Sequence, residues 1–323
     1  MSLRSSAKGL LVAALAVVAA AVSATPAPAS QLIDRNASAI SLQVNDRGEA
    51  LLTYTAHGRL RHVLAWGAVN ATPSRAGVRQ VKFRLDYSGG YARYFHEDPL
   101  AHWLAAADIG TIPLSWQAPF TTPFSGGCGR YDGPPVAWAV AECKAPDGSY
   151  WAVQVWQREL PDYGFTPKPN QFAEELRLSH WTGALPVLTV ATDWSWHRWD
   201  HLYGSLTYDG SPVYGFLVTS GTPLDGFGRN VYIDTFGSTY GPGWRREGSA
   251  LTHQRTGVFC YSVNPHGKEP AGTGSEYRVT VIGPGVTPDL MWTGPSPGPY
   301  SAAADAVANA RIAALHDRLC RPN

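Results

Sequence analysis

The sequence lacks most of the signatures that would assign a function directly. No apolar run reaches the roughly 20 residues a helix needs to cross a bilayer; Gly9 to Val22 supplies 14. No two of the four cysteines stand in a C-x-x-C pair, which argues against a thiolate metal site, and no metal or cofactor is expected. There is no Walker loop and no strand-to-helix Gly-x-Gly-x-x-Gly to cradle phosphate. There is likewise no nucleophile elbow, the tight strand-to-helix turn that carries a Gly-x-Ser-x-Gly serine. The formal charge is only +1, so nothing draws the chain to nucleic acid or to an acidic membrane. Repeat periods and heptads are also missing.

What is present begins with an export signal. Arg4 and Lys8 precede the apolar run, Val22-Ser23-Ala24 gives small residues for cleavage, and a Pro/Ala-rich stretch follows. The expectation is a signal peptide over 1–24, a flexible spacer over 25–37 and a secreted protein. Cleavage leaves 323 − 24 = 299 residues and, with two basic residues gone, a charge of 1 − 2 = −1. Cys128, Cys143, Cys260 and Cys320 all lie in the exported part, and an even count in an oxidising compartment reads as two disulfides. Cys128 with Cys143 closes one compact loop, and Cys260 with Cys320 ties down the C-terminus; this is the favoured of three pairings.

Period-two alternation runs through most of the chain. Ile40, Leu42 and Val44, then Leu52, Tyr54 and Ala56, then Leu60, His62, Leu64 and Trp66 suggest an N-terminal meander within 38–90. Val136 to Val140 and Trp151 to Val155 form a hairpin across Asp147-Gly148, and Leu206 to Tyr208 pairs with Val213 to Phe216 across Asp209-Gly210. Val81–Tyr87, Glu174–Trp181, Asn230–Phe236 and Glu276–Ile282 are further strands, the last burying Tyr277, Val279 and Val281. A short helix is expected from Asp98 to before Gly110, its acids placed by the helix dipole. After a Gly/Pro connection at 294–300, Ser301 caps a C-terminal helix over 301–320. Its apolar stripe is Ala308, Ile312, Leu315 and Leu319. The fold expected is an antiparallel β-sandwich or jelly-roll-like domain over 38–293, with one short internal helix and the C-terminal helix.

The densest chemistry lies between Pro186 and Phe216. If Asp193 to Tyr203 is one extended strand, Asp193, His197, Trp199, His201 and Tyr203 share a face. Trp194, Trp196, Arg198 and Asp200 then share the other. Three readings stay open: an aromatic core, a surface on which sugar rings stack, or catalysis by a His/carboxylate pair. Asp193, His197, Asp200, His201 and Asp234 are the catalytic candidates. The His197-x-x-Asp200-His201 spacing would suit zinc only on a helix, so no metal is assigned there. Asp225, Arg229 and Asn230 form a second ligand-binding candidate on a Gly-rich loop. Glu174, Glu175, Glu247 and several Asp residues could serve glycoside hydrolysis if two of them converge.

VKFRLDYSGGY, APDGSYWAVQVWQRELPDYG, LRLSHWTG, WDHLYGSLTYDG, GRNVYIDTFGS and VIGPGVTPD together resemble a group of uncharacterised exported bacterial proteins of actinomycete type. The resemblance spans about Val81 to Asp289 and implies export, without an activity. The sequence therefore points to a secreted, non-catalytic binding protein for polysaccharide or another cell-envelope polymer. A secreted hydrolase of such a polymer and a structural or protein-binding domain are the alternatives.

Overall fold

The first hairpin forms because Asn45-Asp46-Arg47-Gly48 supplies turn chemistry. Asn45 Oδ1 accepts hydrogen bonds from the Arg47 and Glu49 amides, and Gly48 adopts the left-handed backbone (φ +73°) that a side chain resists. The computed structural model describes residues 30–323 except 70–82, 95–123, 125–127, 162–163, 196–198, 214–217, 220–221, 224–229, 253–255, 264–273, 284, 298–299, 318–319 and 321–323. The expected signal peptide and the helix expected from Asp98 lie outside the described residues.

In chain order the first half comprises β1 (Gln31–Arg35), β2 (Ser38–Val44), β3 (Ala50–Ala56), β4 (Arg59–Trp66), β5 (Arg84–Asp86), the single-turn helix α1 (Tyr91–Tyr94), β6 (Ala139–Lys144), β7 (Tyr150–Trp156) and β8 (Glu175–Trp181). They form two antiparallel sheets, β2-β3-β4-β5 and β1-β8-β7-β6. The facing sides share one core, with Val44, Leu52, Tyr54, Val63 and Ala65 against Trp151, Val153, Leu176 and Leu178. Burying each large side chain fully contributes about 1.5–3 kcal/mol, so this interface drives the pairing of the sheets. On β4 the residues turned into that core are Val63 and Ala65, not the Leu60-His62-Leu64-Trp66 set. Leu64 packs instead with Leu51 and Phe124 on the outer face. Residues 31–35, expected as spacer, are β1, which pairs with β8.

The second half comprises β9 (Val187–Ser195), β10 (Trp199–Tyr208), β11 (Ser211–Pro212), β12 (Val218–Thr219), β13 (Thr222–Pro223), β14 (Asn230–Ser238), β15 (Gly241–Leu251), β16 (Val258–Val263), β17 (Glu276–Val281), β18 (Leu290–Pro295) and helix α2 (Ala302–Ala314). β10 pairs with β9, β16 and β11, and a second sheet runs β15-β14-β17-β18. Leu202, Leu206 and Phe259 of one sheet meet Val231, Ile233, Tyr277, Val279 and Val281 of the other. The antiparallel sandwich is thus built twice, with β12 and β13 as a small separate ribbon.

Ser301 caps α2, its hydroxyl accepting from the Ala304 amide, and Ile312 and Leu315 pack on Tyr203, Val258 and Ala191. The disulfides are Cys128–Cys143 and Cys260–Cys320; the second fixes the chain end onto β16. The two sandwiches interlock through the segment after β17. Val286 enters the core of the first sandwich, and its carbonyl accepts from the His180 amide. Gln154 closes the contact, donating to the Asp289 carbonyl at 3.0 Å and accepting from its amide at 2.9 Å. No helix among the described residues is long and apolar enough to cross a membrane.

Candidate functional site

The stretch expected as one extended strand from Asp193 to Tyr203 is instead a hairpin. β9 and β10 run antiparallel, with Ser195 opposite Trp199 and Asp193 opposite His201. The face grouping of Asp193, His201 and Tyr203 survives because each cross-strand pair joins two odd or two even positions. That face does not form an open aromatic row. Tyr203 packs under α2, its hydroxyl donates to Asp193 at 3.1 Å, and Arg311 of the helix pairs with the same carboxylate at 3.7 Å. His201 is buried and shares a 2.9 Å hydrogen bond with Ser262. Trp194 meets Tyr300 edge-on at 6.0 Å. Trp199, Asp200 and Asn230 lie opposite Ser195, Trp194 and Leu251 in the strand registers. Trp196, His197, Asp225 and Arg229 lie outside the described residues.

An aromatic site that opens to solvent stands at the boundary of the two sandwiches. A cleft of about 340 Å³ is lined by Trp138, Trp156 and Phe172 from the first half and by Trp244, Arg245 and Arg278 from the second. That volume is at the small end for ligand sites. Prolines 161, 167 and 242 stiffen its rim. Trp138 stacks on Trp156 with ring centres 4.2 Å apart and planes 6° from parallel. Trp156 is only 4% exposed, so it backs the wall, while half-buried Trp138 faces the opening. Phe172, 64% exposed, stands at the mouth on a 3₁₀ turn over Pro169–Phe172.

Strand register explains the opposite wall. Trp244 of β15 lies across from Phe236 of β14, and Asp234 of β14 lies across from both Arg246 of β15 and Arg278 of β17. Alternation sends Tyr277 and Val279 into the second core and turns Arg278 to the outer face, toward the first sandwich. Its guanidinium carbon sits 3.8 Å from the Trp244 ring centre and 6.0 Å from that of Trp138. Burial draws the Arg278 pKa below its ordinary value, with Asp234 opposing and Arg246 adding to the effect. Among the described residues its Nε has no hydrogen-bond partner.

The acids expected for hydrolysis are engaged elsewhere. Asp234 is fully buried and bound by Arg246 Nε at 2.5 Å. Burial opposes ionisation of Glu175, but Arg177, Arg158 and Arg35 outweigh it and hold its carboxyl below the usual range. Glu247 is buried and accepts from Thr235 at 3.3 Å, and Glu174 is exposed beside β8. None of these lines the cleft. The letters Gly-x-Ser-x-Gly do occur, at Gly294-Pro295-Ser296-Pro297-Gly298. Of the described part, Gly294 and Pro295 end the extended β18 and the Ser296 amide bonds the Ser275 carbonyl as in a strand, which is not the sharp turn of an elbow. Among the described residues no three His, Cys, Asp or Glu side chains are gathered to hold a metal ion.

Sequence reasoning passed over Trp138, Trp156, Phe172, Trp244 and Arg278 as cleft residues. One available signal was Arg278 itself, a charge set directly between the apolar Tyr277 and Val279. No family model, curated protein or solved structure matches this chain.

Proposed function

We propose that the protein is an exported, non-catalytic binding protein that takes one or two sugar units of an extracellular or cell-envelope polysaccharide in the Trp138–Trp244 cleft. The observation that carries this reading is the wall of flat rings: Trp138 presented on Trp156, Trp244 opposite it, and Phe172 exposed at the mouth. Indole faces stack on the apolar faces of sugar rings, and nearby polar groups fix orientation. Two disulfides support an oxidising compartment, and hence export. The hydrolase alternative has less support, because no carboxylate is among the described residues that line the cleft.

The test is a glycan array and a pull-down on insoluble polysaccharides, followed by titration of the best ligand with tryptophan fluorescence. Retention of wild-type protein is expected, with Trp244→Ala weakening it at least tenfold while the fold persists. No retention on any polymer, or unchanged binding by Trp244→Ala, overturns the reading.

A further inference from the structure

The cleft has a charge character that stacking alone does not require. On the outer face of the β15-β14-β17 sheet, the register aligns Arg246, Asp234 and Arg278 in one row. Two guanidiniums flank one carboxylate, so the row carries one positive charge in excess. Arg246 takes Asp234 Oδ1 at 2.5 Å and also donates to the Arg158 carbonyl at 3.0 Å, which occupies it inside the protein. Arg278 is the member of the row that lines the cleft. Arg245 lines it too, its Nε held by the Pro242 carbonyl at 3.2 Å. Glu276 lies on the same strand face but is exposed and outside the cleft lining.

An arginine that rests its flat face on an indole keeps its N–H edge for acceptors, and that edge matches a planar carboxylate in two parallel hydrogen bonds. Among the described residues the buried Nε of Arg278 has no hydrogen-bond partner, and Arg278 and Arg245 line the cleft with no carboxylate among the described lining residues. A neutral sugar offers that charge only uncharged hydroxyl acceptors; a ring bearing a carboxylate would stack on Trp138 and meet the Arg278 charge at once. We propose that the cleft selects acidic saccharides, uronic acids and their oligomers, with Arg278 as the partner of the ring carboxylate. This deepens the saccharide-binding reading and rests on it.

Calorimetric titration of the protein with oligomers of galacturonate, glucuronate and mannuronate, with their neutral hexose counterparts and with inorganic phosphate, tests the inference. At least one uronate series should bind ten or more times tighter than its neutral counterpart and weaken as salt rises from 50 to 500 mM. Arg278→Gln should erase that preference, and Arg278→Lys should retain part of it; melting curves check that both variants fold. The wild-type comparison needs no variant. Equal affinity for acidic and neutral oligomers, with Trp244→Ala weakening both, would overturn the charge selection and leave the saccharide reading standing. Phosphate binding as tightly as uronate would overturn it in favour of a simple anion site. If no saccharide binds, both readings fall.

Discussion

The indole of Trp138 lies 4.2 Å from that of Trp156 and nearly parallel to it, and Trp138 holds its ring there from a left-handed backbone at φ +53°. A bulky residue pays about 1–2 kcal/mol for that conformation, and such strain persists only where surrounding packing enforces it. It also tends to collect at ligand sites. Glycine has no such penalty. Trp138→Gly should therefore be about 1 kcal/mol more stable than Trp138→Ala in urea denaturation, the reverse of the usual order inside a strand. A more stable alanine variant would show that the backbone there is not strained.

The two disulfides should differ in worth. In the chain-entropy account, stabilisation grows with the loop closed, giving about 3 kcal/mol for the 15-residue separation of Cys128–Cys143 and about 4 kcal/mol for the 60-residue separation of Cys260–Cys320. Replacing both members of each pair by serine, one pair at a time, should lower the urea midpoint more for Cys260/Cys320. That variant should also loosen α2 from Tyr203, which hydrogen exchange at the β10 amides would report. Equal losses would argue against a role for loop length here.

His180 gives the protein a weakness to mild acid. Its ring lies 3.7 Å from Trp151, Nδ1 donates to the Ala68 carbonyl, and Nε2 shares a 2.9 Å hydrogen bond with the Ser149 hydroxyl. Burial holds its pKa down at about 4, against weaker opposing pulls from the Ala68 carbonyl and Asp147. In the unfolded chain the group titrates near 6.5, so between about pH 6.5 and 4 the unfolded state binds the proton first and stability falls with pH. The full loss is about 3 kcal/mol, of which about 2 arrive between pH 7 and 5. Carboxylates with depressed pKa values, such as Glu175, keep their contribution until about pH 5 and lose it only below that. Urea midpoints at pH 7 and pH 5 should consequently drop more for wild type than for His180→Gln. Equal drops would remove His180 as the source.

Local chemistry made much of the fold legible. Asp209 and Gly210 both take positive φ, +49° and +71°, as their hairpin turn requires, and Tyr277, Val279 and Val281 are all fully buried as their alternation indicates. The reversal between β9 and β10 was not legible from composition, because the connecting Trp196-His197-Arg198 contains no Gly, Pro or Asn. Length was the missed signal: Val187 to Tyr208 as one strand would run 22 residues, far past the usual limit of about 10. β15 hid for another reason. Its glycines and its Arg-Arg-Glu run break any alternation, because Trp244 and Arg246 face the other sandwich instead of solvent. The cleft itself draws on β17, β15 and the residues flanking β6 and β7. Only sheet-on-sheet packing brings such distant positions together, and no local pattern encodes it.

The passage of Val286 into the core of the first sandwich has a consequence for the cleft. The first half cannot complete its interior alone, since the acceptor for the His180 amide and a buried apolar side chain arrive from the second half. The seam between the halves is therefore no hinge, and the distance from Trp138 to Trp244 is set when the chain folds. A ligand entering there meets preorganised walls, so its binding energy goes into contacts and not into closing a domain.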